Sequence, residues 1–156
     1  LDVIKTMANY DNICNYIHLP VQSGHTDVLK RMNRGYTREW YMERIDSIKR
    51  IIPDCAISQD IISSFCSETE EDHQETLSLM DYVKFDYGFM FKYSERPNTK
   101  AARKFEDDVP EDVKMQRANE IMEIQSQISW ELNQQKIGFI FQKVFLKDLE
   151  VRSWGH

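Results

Sequence analysis

The chain has 156 residues, of which 41% are hydrophobic and 29% are charged, and its formal net charge is −6. A chain of this length can bury one core, and its eight Phe, seven Tyr and three Trp argue against intrinsic disorder. No apolar run approaches the ~18 residues that indicate a transmembrane helix. The three widely spaced cysteines form neither a disulfide framework nor a CxxC pair, which favours a reducing cytoplasm.

The first half of the chain predicts a strand, a helix and a second strand. Residues 13–19 are largely apolar and end at Pro20, which predicts a buried strand. A helical turn over residues 27–32 is followed by a longer helix that Pro53 ends. The apolar face of that helix consists of Tyr41, Ile45, Ile48 and Ile52. Residues 56–62 predict the second strand.

The second half continues the alternation of helix and strand. The Ser67–Glu70 segment predicts a capping box, and the helix that it opens has an inner face of His73, Thr76, Leu77, Met80 and Val83. Aromatic residues at every second position of 85–93 predict a third strand, with its aromatics mostly in the core. Pro110 opens a long helix that Gly138 ends, and its apolar stripe is Ile121, Ile124, Ile128 and Leu132. Residues 139–149 are a candidate last strand.

This order predicts an α/β fold with parallel strands, crossover helices and a long C-terminal helix. Three strands are too few for a closed barrel, so we expect a fragment of a partial (β/α) barrel or of a larger sheet. Ligands of such folds bind at the carboxyl ends of the strands. In this chain those ends are the polar segments 18–24, 60–67 and 93–96.

Four ordered motifs lie at or just beyond these strand ends. Residues 18–24 read HLPVQSG, and residues 28–37 continue VLKRMNRGYT. Residues 60–72 read DIISSFCSETEED, and residues 93–102 read YSERPNTKAA. Val109, Pro110, Glu111 and Arg117 fit the start of the long helix. Over roughly residues 13–138 the chain resembles the radical S-adenosylmethionine (SAM) methylthiotransferases of the MiaB/RimO type.

The resemblance is nearer to the tRNA-modifying branch than to the branch that acts on a ribosomal protein. It implies an enzyme that adds a methylthio group to C2 of N6-isopentenyladenosine beside the anticodon. It also implies SAM and two [4Fe-4S] clusters as cofactors and the tRNA anticodon loop as partner. A sibling enzyme acting on another tRNA adenosine or on a ribosomal protein is one alternative. A non-catalytic RNA- or protein-binding remnant is the other.

Two departures from the family pattern bear on the activity. The C-x3-C-x2-C motif of the first cluster and the three cysteines of the second are not in the sequence, so no metal ligand is assigned, and we expect the parent enzyme to be active and this chain alone to be inactive. We expect those ligands before Leu1, which is not a Met. Ser64, Cys66 and Ser67 replace Gly, Pro and Gly, and Asn98 and Lys100 replace Gly and Pro. A side chain at Ser64 is able to crowd the SAM pocket.

The expected domain organisation follows from the same comparison. Residues 1–138 correspond to the C-terminal part of a radical SAM core domain. Residues 139–156 form a tail that contains at most the first strand of a small RNA-binding TRAM-like barrel. Because a cut barrel exposes strand edges, we expect self-association through the first or the aromatic strand, and no membrane partner.

The site residues are assigned by matching position to the family motifs. For cofactor binding they are Gln22, Ser23, Gly24, Asp60, Ser64 and Arg96. For substrate binding they are Lys30, Arg31, Arg34 and Tyr93, whose ring is placed to stack on a base. A polar turn explains Ser23 and Gly24 as well, a structural hydrogen bond explains Asp60, and a solvated face explains the cations. No catalytic residue is assigned.

Several other polar residues are assigned structural roles. The predicted capping box explains Glu68. Cys14 and His18 share a strand parity, but without a third ligand at suitable spacing we expect both to pack in the core. Cys66 lies in the predicted site loop, where a soft ligand or redox thiol is the less favoured interpretation.

Overall fold

A computed structural model describes residues 1–138 as six helices and three strands. In chain order these are α1 (Asp2–Ala8), β1 (Tyr16–His18), α2 (Thr26–Arg31), α3 (Arg38–Ile51), β2 (Ala56–Ser63), α4 (Glu70–Val83), β3 (Tyr87–Lys92), α5 (Lys100–Lys104) and α6 (Glu111–Gln135). The predicted last strand and the TRAM-like tail at 139–156 lie outside the described residues. Within residues 1–138, no helix is long and apolar enough to cross a membrane.

The three strands form one parallel sheet in the order β1-β2-β3. Each strand therefore pairs with the next one along the chain, without the reversal of order that marks a doubly wound sheet. This sequential order is that of an arc of a (β/α) barrel, which confirms the predicted fold class.

Helices α3, α4 and α6 cover one face of the sheet and enclose the main core. The predicted apolar face of α3 is buried, as are Ile121 and Ile128 of α6. From β2, Ile57 and Ile61 point into the same core. The spacing of apolar residues on these helices thus located the core correctly.

The opposite face of the sheet is not covered by any described element. Tyr87, Phe89 and Phe91 of β3 and Tyr16 of β1 are all exposed on it. The prediction that the aromatics of 85–93 are mostly core is therefore wrong for these three β3 residues, because only one side of the sheet carries helices. Phe85 and Tyr93, which flank β3, are buried.

Element boundaries differ from the predictions at several points. The first strand covers only Tyr16–His18, and the chain turns before it, so that Ile13 is exposed. The short helices α1 and α5 were not predicted. The capping box is present at Thr69 and Asp72 rather than at Ser67, and α6 ends at Gln135, three residues before Gly138.

Candidate functional site

A cavity of about 700 Å³ opens beside the carboxyl ends of the strands. Its volume lies within the usual range for small-molecule sites, about 300–1,000 Å³. Seven of the ten predicted site residues line it, namely Gln22, Lys30, Arg31, Arg34, Asp60, Tyr93 and Arg96. The cavity therefore joins three segments that lie far apart in the sequence.

Gln22 is held at the mouth of the cavity by backbone pairing with β2. Its N–H donates to the carbonyl of Asp60 at 2.8 Å, and its own carbonyl accepts from the N–H of Ile62 at 2.9 Å. The residue is buried and adopts a positive φ of 72°. Two backbone hydrogen bonds thus fix the backbone of this residue in a conformation that non-glycine residues seldom adopt.

Asp60 belongs to a polar chain on the uncovered face of the sheet. Its carboxylate lies 3.4 Å from Nε2 of His18, and Nδ1 of His18 shares a 2.8 Å hydrogen bond with Oγ of Ser58. The hydroxyl of Tyr16 shares a 2.6 Å hydrogen bond with the same Oγ. The Asp60 side chain is 28% exposed, so it is partly solvated and not sealed in the core.

This polar chain corrects one prediction and adds two residues. His18 and Cys14 were expected to pack in the core, yet both are exposed. Tyr16 and Ser58 were not singled out from the sequence. The parallel register places His18 opposite Ser58, so even positions of β1 and β2 share a face. Register is a property of strand pairing and is not visible in either strand alone.

The floor of the cavity is aromatic. Tyr93 packs edge-on against Phe65, with ring centroids 4.8 Å apart, and Phe105 also packs edge-on against Phe65 at 6.0 Å. Burial, together with the neighbouring Cys66 thiol, raises the pKa of Tyr93 to about 12, so its hydroxyl stays protonated at neutral pH. Phe91, which is 55% exposed on the cavity wall, presents a more open aromatic ring than Tyr93 does.

The Cys66 side chain is part of this packing. It is fully buried in the small cluster that contains Phe65 and Tyr93, and burial raises the pKa of its thiol. A raised pKa lowers the thiolate fraction at neutral pH, which fits a structural role.

Three predicted cofactor-binding residues lie behind the cavity wall. Ser23 accepts a hydrogen bond from the N–H of His25, and the N–H of Gly24 donates to Oγ1 of Thr76 at 2.9 Å. A Cβ on Gly24 would lie 2.4 Å from Cα of Thr76, so glycine is needed there for the close approach of α4. Ser64 is fully buried and its N–H donates to Glu68.

The positions where serine or asparagine replaces the family's glycine share one backbone property. Ser64, Ser67 and Asn98 all have positive φ, at 60°, 59° and 66°. Glycine adopts this conformation without strain, whereas L-residues pay for it. The backbone at these three positions therefore has a conformation that favours glycine.

Glu68 is part of a buried ion network, which the predicted capping box does not explain. Its carboxylate accepts from the N–H of Ser64 at 2.8 Å and lies 3.5 Å from Nη1 of Arg117, and Nη2 of Arg117 contacts Glu70 at 3.3 Å. Burial raises the pKa of Glu68 to about 7, against the opposing effects of the Ser64 N–H and Arg117. The network joins the site loop to α6.

The polar side chains that line the cavity fit the polar groups of SAM. The guanidinium of Arg96 suits the SAM carboxylate. The Asp60 carboxylate and the Gln22 amide suit the SAM ammonium and ribose hydroxyls. For an iron–sulfur cluster the residues do not fit. Cys55 and Cys66 are buried apart, Cys14 is exposed, and residues 1–138 contain no group of three or more ligands placed to hold a metal ion.

A parallel barrel arc with its site at the strand carboxyl ends is the architecture of a barrel-type enzyme core. Residues 1–80 match the sequence model of the Radical SAM superfamily, so the chain belongs to that superfamily.

Similar proteins narrow this class. The chain is 56% identical over 148 residues to a tRNA-2-methylthio-N(6)-dimethylallyladenosine synthase of Christiangramia forsetii, covering 95% of the chain and 31% of that protein. Proteins of the same name match in Amoebophilus asiaticus, with 57% identity over 90% of the chain and 29% of that protein, and in Bacteroides thetaiotaomicron, with 53% over 97% and 33%. The chain thus spans about a third of the length of these relatives. The resemblance to the methylthiotransferases is confirmed.

Proposed function

We propose that the full-length protein containing this chain is a radical SAM tRNA methylthiotransferase. It would add a methylthio group to C2 of N6-isopentenyladenosine next to the anticodon. The identity of 53–57% to synthases of that name, over 90–97% of the chain, carries this proposal. The cavity at the strand ends, whose volume suits a small molecule, supports the proposal.

Residues 1–138 would form the C-terminal part of the core domain and hold one side of SAM. In this proposal Arg96 binds the SAM carboxylate, and Asp60, oriented by His18, accepts from the ammonium or a ribose hydroxyl. Gln22 adds an amide, while Ser23, Gly24 and Ser64 shape the wall from behind. Bound SAM, with iron–sulfur clusters held elsewhere in the protein, supplies the radical and methyl-donor chemistry.

The substrate side of the proposed site has an anionic partner, the anticodon loop of tRNA. Arg34 lines the cavity and forms no salt bridge within residues 1–138, whereas Lys30 and Arg31 pair with Asp27 and Asp72. Tyr93 would close the floor beneath the target base. We place the reaction in the cytoplasm, where tRNA is modified and where three unpaired cysteines remain reduced.

The uncovered face of the sheet supports the proposed self-association of the isolated chain. Three exposed aromatic rings in one strand form an apolar surface of the kind that proteins bury against another element. In the full-length protein the rest of the barrel would cover Tyr87 and Phe89 on this face and leave Asp60 and Phe91 open at the cavity. In the isolated chain a second copy is the available cover.

The proposal is tested with the reconstituted full-length protein. Mass spectrometry should detect 2-methylthio-N6-isopentenyladenosine in tRNA incubated with protein, SAM and a reductant. Asp60→Asn and Arg96→Gln should each weaken SAM binding about tenfold or more, because each removes a charge-assisted hydrogen bond. The control Arg103→Gln, on the exposed side of α5, should leave SAM binding unchanged. Methylthiolation of another adenosine or of a ribosomal protein would contradict the proposed substrate. The absence of any SAM-dependent product would contradict the proposal that the full-length protein is an enzyme of this kind.

A further inference from the structure

The charges around the cavity are almost all positive. Its lining includes seven Lys and Arg residues but one acidic residue, Asp60. The cations are Lys30, Arg31, Arg34, Lys92, Arg96, Lys100 and Lys104. The whole chain has a net charge of −6, whereas the lining of this cavity is positive. The cavity therefore attracts anions locally, although the molecule as a whole is negative.

Three of these cations are neutralised by carboxylates of the chain itself. Lys30 pairs with Asp27, Arg31 with Asp72 and Lys92 with Glu111. By contrast, Arg34, Arg96, Lys100 and Lys104 form no salt bridge with any residue of the described part of the chain.

Two acidic residues close in sequence to these cations, Asp107 and Asp108, are engaged elsewhere. Asp107 pairs with Lys114, and Asp108 accepts from the N–H and hydroxyl of Ser67. Four positive charges share one opening, and none of them forms a salt bridge with the acidic residues beside them in the chain, Glu95 and Glu106 included.

A hydrogen bond joins two of the chain segments that line the cavity. Nζ of Lys100 donates to Oδ1 of Asn33 at 3.1 Å, joining the residues after α2 to α5. Thr99 caps α5 by accepting from the N–H of Ala102. This pairing holds Arg34 and Lys104 on the same opening although they lie 70 positions apart in the chain.

An open aromatic ring lines the same cavity as these cations. Phe91 is exposed on the uncovered sheet face and lines the cavity, and the floor below it is aromatic. Cations beside an accessible ring are the combination that binds single-stranded nucleic acid, because the cations hold phosphates and the ring stacks on a base.

We propose that Arg34, Lys100 and Lys104 bind backbone phosphates of unpaired RNA nucleotides that flank the target adenosine, and that Phe91 stacks on one of the flanking bases. This inference rests on the proposed function, since it specifies how that RNA substrate is held. It separates the roles around the cavity, with Asp60 and Arg96 facing the cofactor and the outer rim facing the RNA.

The experiment measures affinity of the full-length protein for an RNA anticodon stem-loop at several salt concentrations. A phosphate contact to a single strand contributes about 0.7 to the slope of log K against log salt. Arg34→Gln and Lys104→Gln should each lower the magnitude of the slope by about that amount. Phe91→Leu should weaken binding about fivefold or more at unchanged slope, because a stacked ring contributes without charge.

Arg103→Gln is the matched control. Arg103 is the neighbour of Lys104 in α5 and carries the same charge, but it does not line the cavity. Its replacement should leave both the slope and the affinity near those of the wild type. SAM binding, measured separately without RNA, should be the same in all four variants.

The outcomes separate the inference from the proposed function. Equal effects of Arg103→Gln and Lys104→Gln would overturn the inference, because charge alone would then explain both. Loss of SAM binding in Arg34→Gln or Lys104→Gln, at an unchanged RNA slope, would overturn it as well, since these cations would then serve the SAM carboxylate. A wild type that shows the expected slopes but forms no methylthio product would support the inference while the proposed function failed.

Discussion

Ionisation of Glu68 should lower the free energy of unfolding of the native protein as pH rises. Replacing Glu68 with glutamine should remove this effect. The Glu68 side chain is 2% exposed, and burial raises its pKa from 4.5 to about 7. Glutamine keeps an oxygen that accepts from the N–H of Ser64, and it has no charge to desolvate. The variant thus isolates the cost of ionising this side chain.

The size of the effect follows from the difference in pKa between the folded and unfolded states. At about 1.4 kcal/mol for each pH unit, it amounts to about 3 kcal/mol. Below about pH 4.5 the carboxyl is protonated in both states and the cost is absent. Between about pH 4.5 and pH 7 the unfolded chain releases the proton first, so the free energy of unfolding falls as pH rises, and above about pH 7 the cost is constant.

Urea unfolding followed by tryptophan fluorescence is the assay, at about pH 4.5 and about pH 8. Glu68→Gln should have nearly the stability of the wild type at the lower pH and should be more stable by up to about 3 kcal/mol at the higher pH. Glu71→Gln, an exposed carboxylate in the same helix, is the control and should show no such difference between the two pH values. A Glu68→Gln effect of the same size at both pH values would refute the reasoning, because the benefit would then not come from ionisation.

Two further substitutions test the packing of the site, and a third tests self-association. Gly24→Ala should destabilise the chain by about 3 kcal/mol in urea unfolding, because its Cβ would overlap the backbone of Thr76; an unchanged midpoint would contradict that contact. Ser64→Gly should stabilise the chain by about 1 kcal/mol in the same assay, since it relieves a positive φ, and a loss of stability would show that the Ser64 hydroxyl is needed. The molar mass of the isolated chain in light scattering should rise with concentration, and Phe89→Ser should reduce this rise; a concentration-independent wild-type monomer would refute self-association through this face.

Much of the site was predictable because the strand ends carry polar motifs. Seven residues assigned from those motifs do line one cavity. The contact of Gly24 with α4, 52 positions away, was not predicted, because no local pattern reports such an approach. The Glu68–Arg117 contact was missed for the same reason.

The sequence alone determined the order of the three strands and of the helices α2, α3, α4 and α6, the apolar face of α3 and α6, and the family. These properties depend on periodicity and on short motifs, which are local. The tertiary structure decided which side of the sheet is covered, and so left Phe89 and Phe91 exposed although their alternation is that of a half-buried strand. It also decided that Arg34 and Lys104 share one opening. Alternation shows which side chains share a face, but only the packing of distant elements selects the face that is buried.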